Sequence, residues 1–356
     1  MGLYEALWDD TLWFPENSSG TPYGWKDLEN QPGSDTYYPQ LVHLNLSILI
    51  GAFFVGIRFI FERFVAVPFG FAIGVSKRRP PGPPHDQVLE NAFKTCKKID
   101  NGFIKRLSKQ TDKSVHQIQI WLRKRRNYDA QPTIKKFAEC CWHFLFYTSA
   151  CIGGGIVLWD KPWLLATKHC WIGWPLQHLT SEIYWYYILE AAFYWGLLIT
   201  LLTDAKRKDF IQMTVHHVAT LVLIYFSWMM NLVRIGTLVL FVHDASDPFL
   251  TAGKMCNYSK HKLLKEILFI CFIATWMITR LGVYPFSILW STTFEPYQYI
   301  MEQTFFTHWF FLFFLYTLMV LHLMWTYSIF MVAVNKLKKG DVEDVRSDSD
   351  TDSERD

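Results

Sequence analysis

Ionisable residues inside two adjoining apolar stretches are the strongest chemical signal in this sequence. The stretches lie within residues 210–252, FIQMTVHHVATLVLIYFSWMMNLVRIGTLVLFVHDASDPFLTA. An ionisable group in an apolar membrane helix is costly unless it faces protein or a water-filled cavity, so each one is a candidate functional group. Imidazole can act as a base or a nucleophile, and a carboxylate can orient it. The candidate catalytic residues are His216 and His217 on the first stretch and His243, Asp244 and Asp247 on the second.

A tight turn near Asn231 would bring these groups to one depth. His216 lies fifteen residues before Asn231, and Asp247 lies sixteen residues after it. Equal distances from the turn of an antiparallel helix pair mean equal depth. On the second helix, His243 and Asp247 share a face because they are four residues apart, whereas Asp244 is rotated away from it. A lone membrane histidine could be a hydrogen-bonded packing residue, but five polar groups in one layer favour a site.

The composition indicates a membrane protein without a disulfide or zinc framework. The 356 residues are 51% hydrophobic and include 16 Trp, 17 Tyr and 29 Phe. The seven cysteines are odd in number and lack the paired spacing of disulfide or zinc sites. The N-terminus has no basic segment and cleavage site of a signal peptide, so we expect the first apolar span to act as the insertion signal.

Apolar stretches long enough to cross a bilayer recur along the chain. A helix of about 20 apolar residues spans the hydrocarbon core. The sequence therefore predicts an all-α polytopic membrane protein with seven transmembrane helices. The predicted spans are residues 41–61, 138–158, 183–202, 210–230, 233–252, 263–285 and 304–334.

The positions of the basic residues predict how these helices are oriented. Cytosolic segments of membrane proteins are enriched in Lys and Arg. With seven spans, the basic segments fall on one side, whereas residues 286–303 on the other side contain no Lys or Arg. We therefore predict a lumenal N-terminus and a cytosolic C-terminus, with the histidine layer near the cytosolic face. In this orientation Asn17 is a lumenal glycosylation acceptor, and the same acceptor pattern at Asn257 stays unmodified in the cytosol.

The spans and the segments between them divide the chain into five parts, the last of which is an acidic tail at residues 336–356. The tail carries four hydroxyl residues that each precede an acidic residue by three positions, a pattern of acidophilic kinase sites, although an acidic tail can also serve only solubility. These candidate phosphorylation sites are Ser347, Ser349, Thr351 and Ser353. The parts are a lumenal segment (1–40), a first transmembrane helix (41–67), a cytosolic basic segment (76–136), a six-helix membrane domain (137–335) and an acidic, disordered cytosolic tail (336–356).

The basic segment 76–136 contains two helical patterns. The second, SVHQIQIWLRKRRN at residues 114–127, resembles the third helix of a homeodomain around Trp121. Lys124 stands where that family uses an adenine-reading Asn, and the segment is too short for the full three-helix module. These departures disfavour sequence-specific DNA binding, and contact with anionic lipids is the simpler interpretation of basic residues beside a membrane.

Several motifs together resemble ceramide synthases, the longevity-assurance members of the TLC-type membrane proteins. The His216-His217 pair and the insert with its truncated homeodomain-like helix are part of this resemblance, which runs from about residue 40 onwards. The other motifs are TDAKRKDF (203–210), GTLVLFVHDASD (236–247), WLLATKHCW (163–171), IYWYYILEAAFYW (183–195), TRLGVYPF (279–286), IFERFVAVPFG (60–70) and DVRSD (344–348).

The resemblance implies a fold, a reaction and a location. A first anchor helix would precede a six-helix TLC-type barrel in the endoplasmic reticulum membrane. The enzyme would transfer a fatty acyl group from acyl-CoA to the amine of a sphingoid base through an acyl-imidazole. His216 would be the nucleophile and His217 its supporting acid or base. Acyl-CoA is a cosubstrate in this scheme, with no permanently bound cofactor and no metal. Its phosphates could meet Lys206, Arg207 and Lys208 at the cytosolic mouth, but basic residues are expected there as topology determinants in any case.

Other functions compete with this one. A non-enzymatic lipid sensor or carrier on the same fold would not need the complete polar layer, and a heptahelical receptor gives no reason for the layer at all. A metal hydroxylase would use His and Asp as ligands, but the histidines are few for a di-iron site. Homo- or heterodimerisation and the preferred acyl chain stay open, although we expect residues 286–303 to influence chain length.

Overall fold

The computed structural model describes a bundle of long helices with a small helical segment beside it. It describes residue 5 and residues 8–16, 20–76, 82–96, 100–129, 132–201, 203–204, 209–300 and 306–339. Within these residues the only extended pairing is an isolated bridge between Glu16 and Pro22. The helices are α1 (Leu41–Ala72), α2 (Gln87–Thr95), α3 (Asn101–Thr111), α4 (Val115–Asp129), α5 (Thr133–Leu158), α6 (Ser181–Thr200), α7 (Phe210–Met229), α8 (Val233–Asp244), α9 (Asp247–Tyr258), α10 (Lys262–Tyr299) and α11 (Phe306–Lys339).

The predicted all-α polytopic fold is confirmed, and each predicted span is helical over most of its described residues. Among the described residues, five helices are long and apolar enough to cross a membrane: α1, α5, α7, α10 and α11. Helix α6 contains Glu190 and many Tyr and Trp side chains, which lower its hydropathy. Helices α8 and α9 have 12 residues each, about 18 Å of helix, which is too short to cross a hydrocarbon core of about 30 Å alone. The chain is a multi-pass membrane protein.

The bundle has two distinct ends, which we name after residues that lie there. At the Asn231 end, Asn231 forms the turn between α7 and α8 with φ at 53°, and its amide donates to the carbonyls of Pro175 and Gln177 at 2.6 and 2.7 Å. The Asp209 end contains the start of α7. Successive long helices alternate in direction between these ends.

The predicted helix 233–252 is interrupted at residues 245–246, which corrects the expected geometry of the site. Helix α8 ends at Asp244, and α9 begins at Asp247 with Pro248 in its first turn. Proline has no backbone N–H, and its ring clashes with the carbonyl four residues earlier, which here belongs to Asp244. His243 and Asp247 therefore do not share a face of one continuous helix.

The predicted loop at residues 286–303 is wrong over most of its length. Helix α10 continues to Tyr299 and contains a π-helical stretch, Met277–Leu289, with Pro285 inside it. Proline cannot donate the backbone hydrogen bond of a regular helix, and the wider turn of a π-helix lets the chain continue past it.

The basic segment contains three helices rather than the two predicted. Helices α2, α3 and α4 share a separate small core of Leu89, Ile104, Leu107, Ile118, Trp121 and Leu122. Asp86 and Asp100 cap α2 and α3, because each accepts a hydrogen bond from the backbone of the first turn. Arg125 on α4 pairs with Glu90 on α2 through two hydrogen bonds of 2.8 and 2.9 Å. The prediction of two helices was wrong because only residues 96–100 separate α2 from α3, and the capping residue Asp100 starts a new helix there.

Helix α1 is integrated into the bundle and packs closely on α6. A Cβ atom on Gly51 would lie 2.6 Å from the carbonyl oxygen of Ala192, so only glycine permits this approach. Near the Asp209 end, the buried Arg58 pairs with Asp204 at 2.6 Å and donates to Thr200 at 2.9 Å. These contacts fix α1 against the end of α6, beside the start of α7.

Several predicted functional residues lie outside the described residues. They are the glycosylation acceptor Asn17, the basic group Lys206, Arg207 and Lys208, and the tail residues Ser347, Ser349, Thr351 and Ser353.

Candidate active site

The candidate histidines lie together in the interior of the bundle, as predicted. Helix α7 carries His216 and His217, whose ring centroids are 5.5 Å apart, and α8 brings His243 to 6.2 Å from His216. All three residues are at most 8% exposed. Tyr194 on α6 lies within 6.1 Å of both rings of the pair. His216 Nδ1 is buried and has no hydrogen-bond partner among the described residues, so this atom is open to a substrate group.

Asp247 joins the layer from the start of α9 rather than from the helix that carries His243. Its carboxylate lies 3.5 Å from Nη2 of Arg280 on α10. The same nitrogen of Arg280 donates to the main-chain carbonyl of His243. The guanidinium group therefore links the end of α8, the start of α9 and the middle of α10 at the level of the histidines.

Asp244 points to a different partner, the carboxyl group of Glu190 on α6. The two carboxyl groups lie within hydrogen-bonding reach of each other, and both residues are 1% exposed. Two buried carboxyl groups this close repel each other when both are ionised, so the pair is more stable when one of them carries a proton. This pair lies at the edge of the histidine layer.

His322 on α11 adds a fourth imidazole, and it helps to define the tautomer of His243. His243 Nδ1 lies 2.6 Å from the carbonyl oxygen of Val239, to which it donates. The Nε2 atom of a neutral His243 then accepts, and it faces His322 Nε2 at 3.1 Å. Arg280 Nη1, which can only donate, lies 3.1 Å from the same His322 atom, so His322 Nε2 either accepts from Arg280 or donates to His243. Both ring nitrogens of His243 thus face other groups of the protein, whereas His216 Nδ1 has no hydrogen-bond partner among the described residues.

Two cavities of opposite character lie on either side of this layer. The polar cavity extends towards the Asp209 end and is lined by His216, His217, Asp247, Glu139, Asp204 and Arg280, among others. The apolar cavity extends from His243 and Tyr194 towards the Asn231 end, where Trp174 and Thr307 line it. Most of its wall is Leu, Ile and aromatic side chains. A molecule with a polar head and an apolar tail could therefore place the junction of the two parts at the histidines.

The described residues contain no cluster of three or more His, Cys, Asp or Glu side chains suited to a metal ion. The polar groups of the layer instead contact one another or Arg280. Acid–base and nucleophilic chemistry is what this arrangement of imidazoles and carboxyl groups can perform directly.

Known proteins resemble this chain over nearly its whole length. A family model described as the TLC domain matches residues 136–331. Ceramide synthase 5 from Homo sapiens is 42% identical over 357 residues, which cover 99% of this chain and 88% of the relative. Ceramide synthase 3 from Mus musculus is 36% identical over 345 residues, covering 97% and 88% of the two chains. The chain belongs to the ceramide synthase family. Ceramide synthase hyl-1 from Caenorhabditis elegans is 39% identical over 227 residues, 60% of this chain and 61% of that relative.

In this ceramide synthase family member, three polar residues beside the histidines were missed in the sequence. They are Glu190 on α6, Arg280 on α10 and His322 on α11. Each is an ionisable residue inside a long helix of the membrane bundle, so the cost argument that selected the histidines applies equally to them. What the sequence lacks is the packing of α6, α10 and α11 against the hairpin, because these contacts join residues 37 or more positions apart along the chain.

Proposed function

We propose that this chain is a ceramide synthase that transfers a fatty acyl group from acyl-CoA to the amine of a sphingoid base, forming a ceramide or dihydroceramide. The observation that carries the proposal is the histidine layer at the junction of a polar and an apolar cavity, in a chain of the ceramide synthase family. Acyl-CoA has the matching form, with a long apolar chain, a reactive thioester and a highly polar remainder.

The apolar cavity is the proposed site of the acyl chain. Its walls exclude water and bury methylene groups, each of which contributes about 0.8 kcal/mol when fully buried. Thr292, Pro296 and Ile300 on or next to α10 line its end, in agreement with the expected influence of residues 286–303 on chain length. The thioester would then lie at the histidines, with CoA in the polar cavity.

In the first half of the reaction, a ring nitrogen of His216 attacks the thioester carbonyl carbon. The C–S bond breaks, the CoA thiolate leaves, and the proton of the imidazole passes by way of His217 to the thiolate. The unpartnered Nδ1 atom of His216 favours this residue over His243 as the nucleophile. His243 fits a structural role better, since its two ring nitrogens contact Val239 and His322.

In the second half, the neutral amine of the sphingoid base attacks the acyl carbon. The bond between carbon and imidazole nitrogen breaks, the amine gives one proton to the imidazole, and the amide is released. Arg280, Asp247 and the Glu190–Asp244 pair would hold the surrounding charges and dipoles in place, so that little reorganisation accompanies the reaction. Acyl-imidazoles hydrolyse readily, so the dry wall of the apolar cavity would also protect the intermediate.

We propose seven membrane crossings, with α8 and α9 together forming one of them. The alternating helix directions and the basic residues near the Asp209 end support a cytosolic position for that end. The protein would reside in the endoplasmic reticulum with a lumenal N-terminus and a cytosolic C-terminus. Lys206, Arg207 and Lys208, between α6 and α7, would then be placed to meet the CoA phosphates. We propose no permanently bound cofactor.

Mass spectrometry of purified protein tests the acyl-enzyme. Protein given acyl-CoA without sphingoid base should gain the mass of one acyl group and release one CoA, and added base should discharge the adduct to amide. His216→Ala should abolish the adduct and turnover. His261→Ala is the matched control, because this exposed histidine lies outside both cavities.

The outcomes separate the alternatives. An adduct lost in His217→Ala but kept in His216→Ala would reverse the assignment within the pair. Turnover without an adduct, with ternary-complex kinetics, would favour direct attack by the amine with the histidines as general bases. Tight binding of acyl lipids without any turnover would favour a lipid sensor or carrier.

A further inference from the structure

The segment before α1 is a folded unit that packs on the Asn231 end of the bundle. Asp9 caps a one-turn helix, Asp10–Trp13, by accepting from the backbone of Thr11 at 3.0 Å. The carboxylate of Asp10 accepts from the backbone of Trp25 at 3.1 Å, which closes the segment on itself. Its inward-facing residues Trp13, Phe14 and Leu28 are at most 5% exposed.

Direct hydrogen bonds attach this segment to three parts of the bundle. Thr307 at the start of α11 donates to the carbonyl of Trp13 at 2.7 Å. Trp228 at the end of α7 donates to the carbonyl of Gln40 at 2.9 Å. Before α6, the backbone of Leu179 donates to the carbonyl of Tyr37 at 2.8 Å. These contacts fix the segment in position relative to the helices that surround the apolar cavity.

Phe14 lies directly behind the end wall of that cavity, and Trp13 packs against neighbouring aromatic side chains of α7 and α11. Trp174 and Thr307 line the cavity, and the ring of Phe14 stacks on Trp174 with centroids 6.2 Å apart. The ring of Trp13 stacks on Phe226 at 5.5 Å and meets Phe310 edge-on at 5.9 Å. The end wall therefore has two layers, one from the bundle and one from the N-terminal segment.

We propose that the N-terminal segment closes the apolar cavity and that Trp13 sets its depth, and thereby the longest acyl chain that reacts. The inference rests on the proposed ceramide synthase function. An acyl chain that enters from the histidines meets Trp174 and Thr307 at the end of the cavity. The ring of Phe14 supports Trp174, and the ring of Trp13 supports Phe226 and Phe310, which directly precede the lining residues Ser227 and Phe311 in α7 and α11. Protein interiors are close-packed, so removal of one indole from the second layer gives the first layer room to move.

The test is acyl-CoA selectivity of the purified full-length protein over a series of chain lengths. The measured quantity is a ratio of two kcat/KM values: the value for an acyl-CoA two carbons longer than the best wild-type substrate, divided by the value for that best substrate. Trp13→Ala should raise this ratio by about tenfold or more. Trp8→Ala is the matched control. Its ring lies 5.9 Å from Trp13 in the same segment, outside the cavity lining, so its loss should leave the ratio unchanged.

The ratio is measured within one protein preparation, so partial loss of folded protein does not change it. If Trp13→Ala does not accumulate, Trp13→Phe makes a smaller opening and should shift the ratio in the same direction. An unchanged ratio in an active variant at Trp13 would overturn the inference, as would an equal shift in Trp8→Ala. A wild-type protein that transfers no acyl group to a sphingoid base would overturn the proposed function, and this inference with it.

Discussion

At the residue scale, the candidate site is a set of mutually dependent polar groups rather than a pair of isolated histidines. Arg280 connects His243 and Asp247, and Glu190 connects with Asp244. All of these groups except the half-buried Asp247 are buried, and a buried polar group would be costly without its partner. Substitutions that preserve a hydrogen bond should therefore differ clearly from substitutions that only remove it.

Glu190 offers the sharpest comparison of this kind. Glu190→Gln keeps a donor and an acceptor for Asp244, so we expect acyl transfer within about threefold of wild type. Glu190→Ala leaves the Asp244 carboxyl buried without this partner, at a cost of about 1–3 kcal/mol, and should reduce acyl transfer by more than about tenfold. The measurement is product formation at saturating substrates for both variants. Equal loss in both variants would mean that the carboxyl group itself, and not the hydrogen bond, is required.

At the element scale, the sequence predicted where helices lie better than where they end or break. Apolar length located every long helix, because burial in lipid demands it. The break before α9 depends on Pro248, and a prediction from hydrophobicity alone does not take a proline into account. The predicted end of the sixth span at residue 285 was wrong for the converse reason. Helix α10 continues because a π-helical stretch tolerates Pro285, although a proline usually ends a helix. The polar layer still forms despite this break, because Arg280 contacts both the Asp247 carboxylate and the main-chain carbonyl of His243.

The three-helix segment α2–α4 permits a prediction about pH. Hydrogen bonds from Arg125 lower the pKa of Glu90 from 4.5 to about 2. A carboxyl group with a lowered pKa contributes its stabilisation above its ordinary pKa, and the contribution is lost as the pH falls towards 2. At pH 7, Glu90→Gln should accelerate hydrogen exchange in α2 and α4 by roughly two- to fivefold, as expected for a partly exposed ion pair.

Hydrogen exchange of the full-length protein across pH provides the measurement. The difference between wild type and Glu90→Gln should narrow between pH 4.5 and pH 2. Asp112→Asn is the matched control, because it removes one negative charge at an exposed position with φ at 49°, which asparagine tolerates. The ion-pair explanation fails if Asp112→Asn has the same effect or if the difference persists at low pH.

At the scale of the whole molecule, three potential glycosylation acceptors bear on the orientation: Asn17, Asn45 and Asn257. Asn17 lies outside the described residues, Asn45 lies near the start of α1 at the Asn231 end, and Asn257 lies near the end of α9, towards the Asp209 end. We expect a glycan at Asn17 and none at Asn257, because the basic residues favour a cytosolic Asp209 end. The measurement is the mobility shift after enzymatic deglycosylation of protein made in cells. Asn17→Gln should remove the shift, and a shift that remains in an Asn17→Gln, Asn45→Gln double variant would contradict the proposed topology.

The closed end of the apolar cavity also has a kinetic consequence. A chain that is too long for the cavity touches the end wall before its thioester reaches His216, so the thioester stops short of the nucleophile. Such an acyl-CoA still buries most of its methylene groups and binds well. Over-long acyl-CoA molecules would then act as competitive inhibitors rather than as slow substrates, and the composition of the acyl-CoA pool would regulate the rate of acyl transfer as well as the identity of its product.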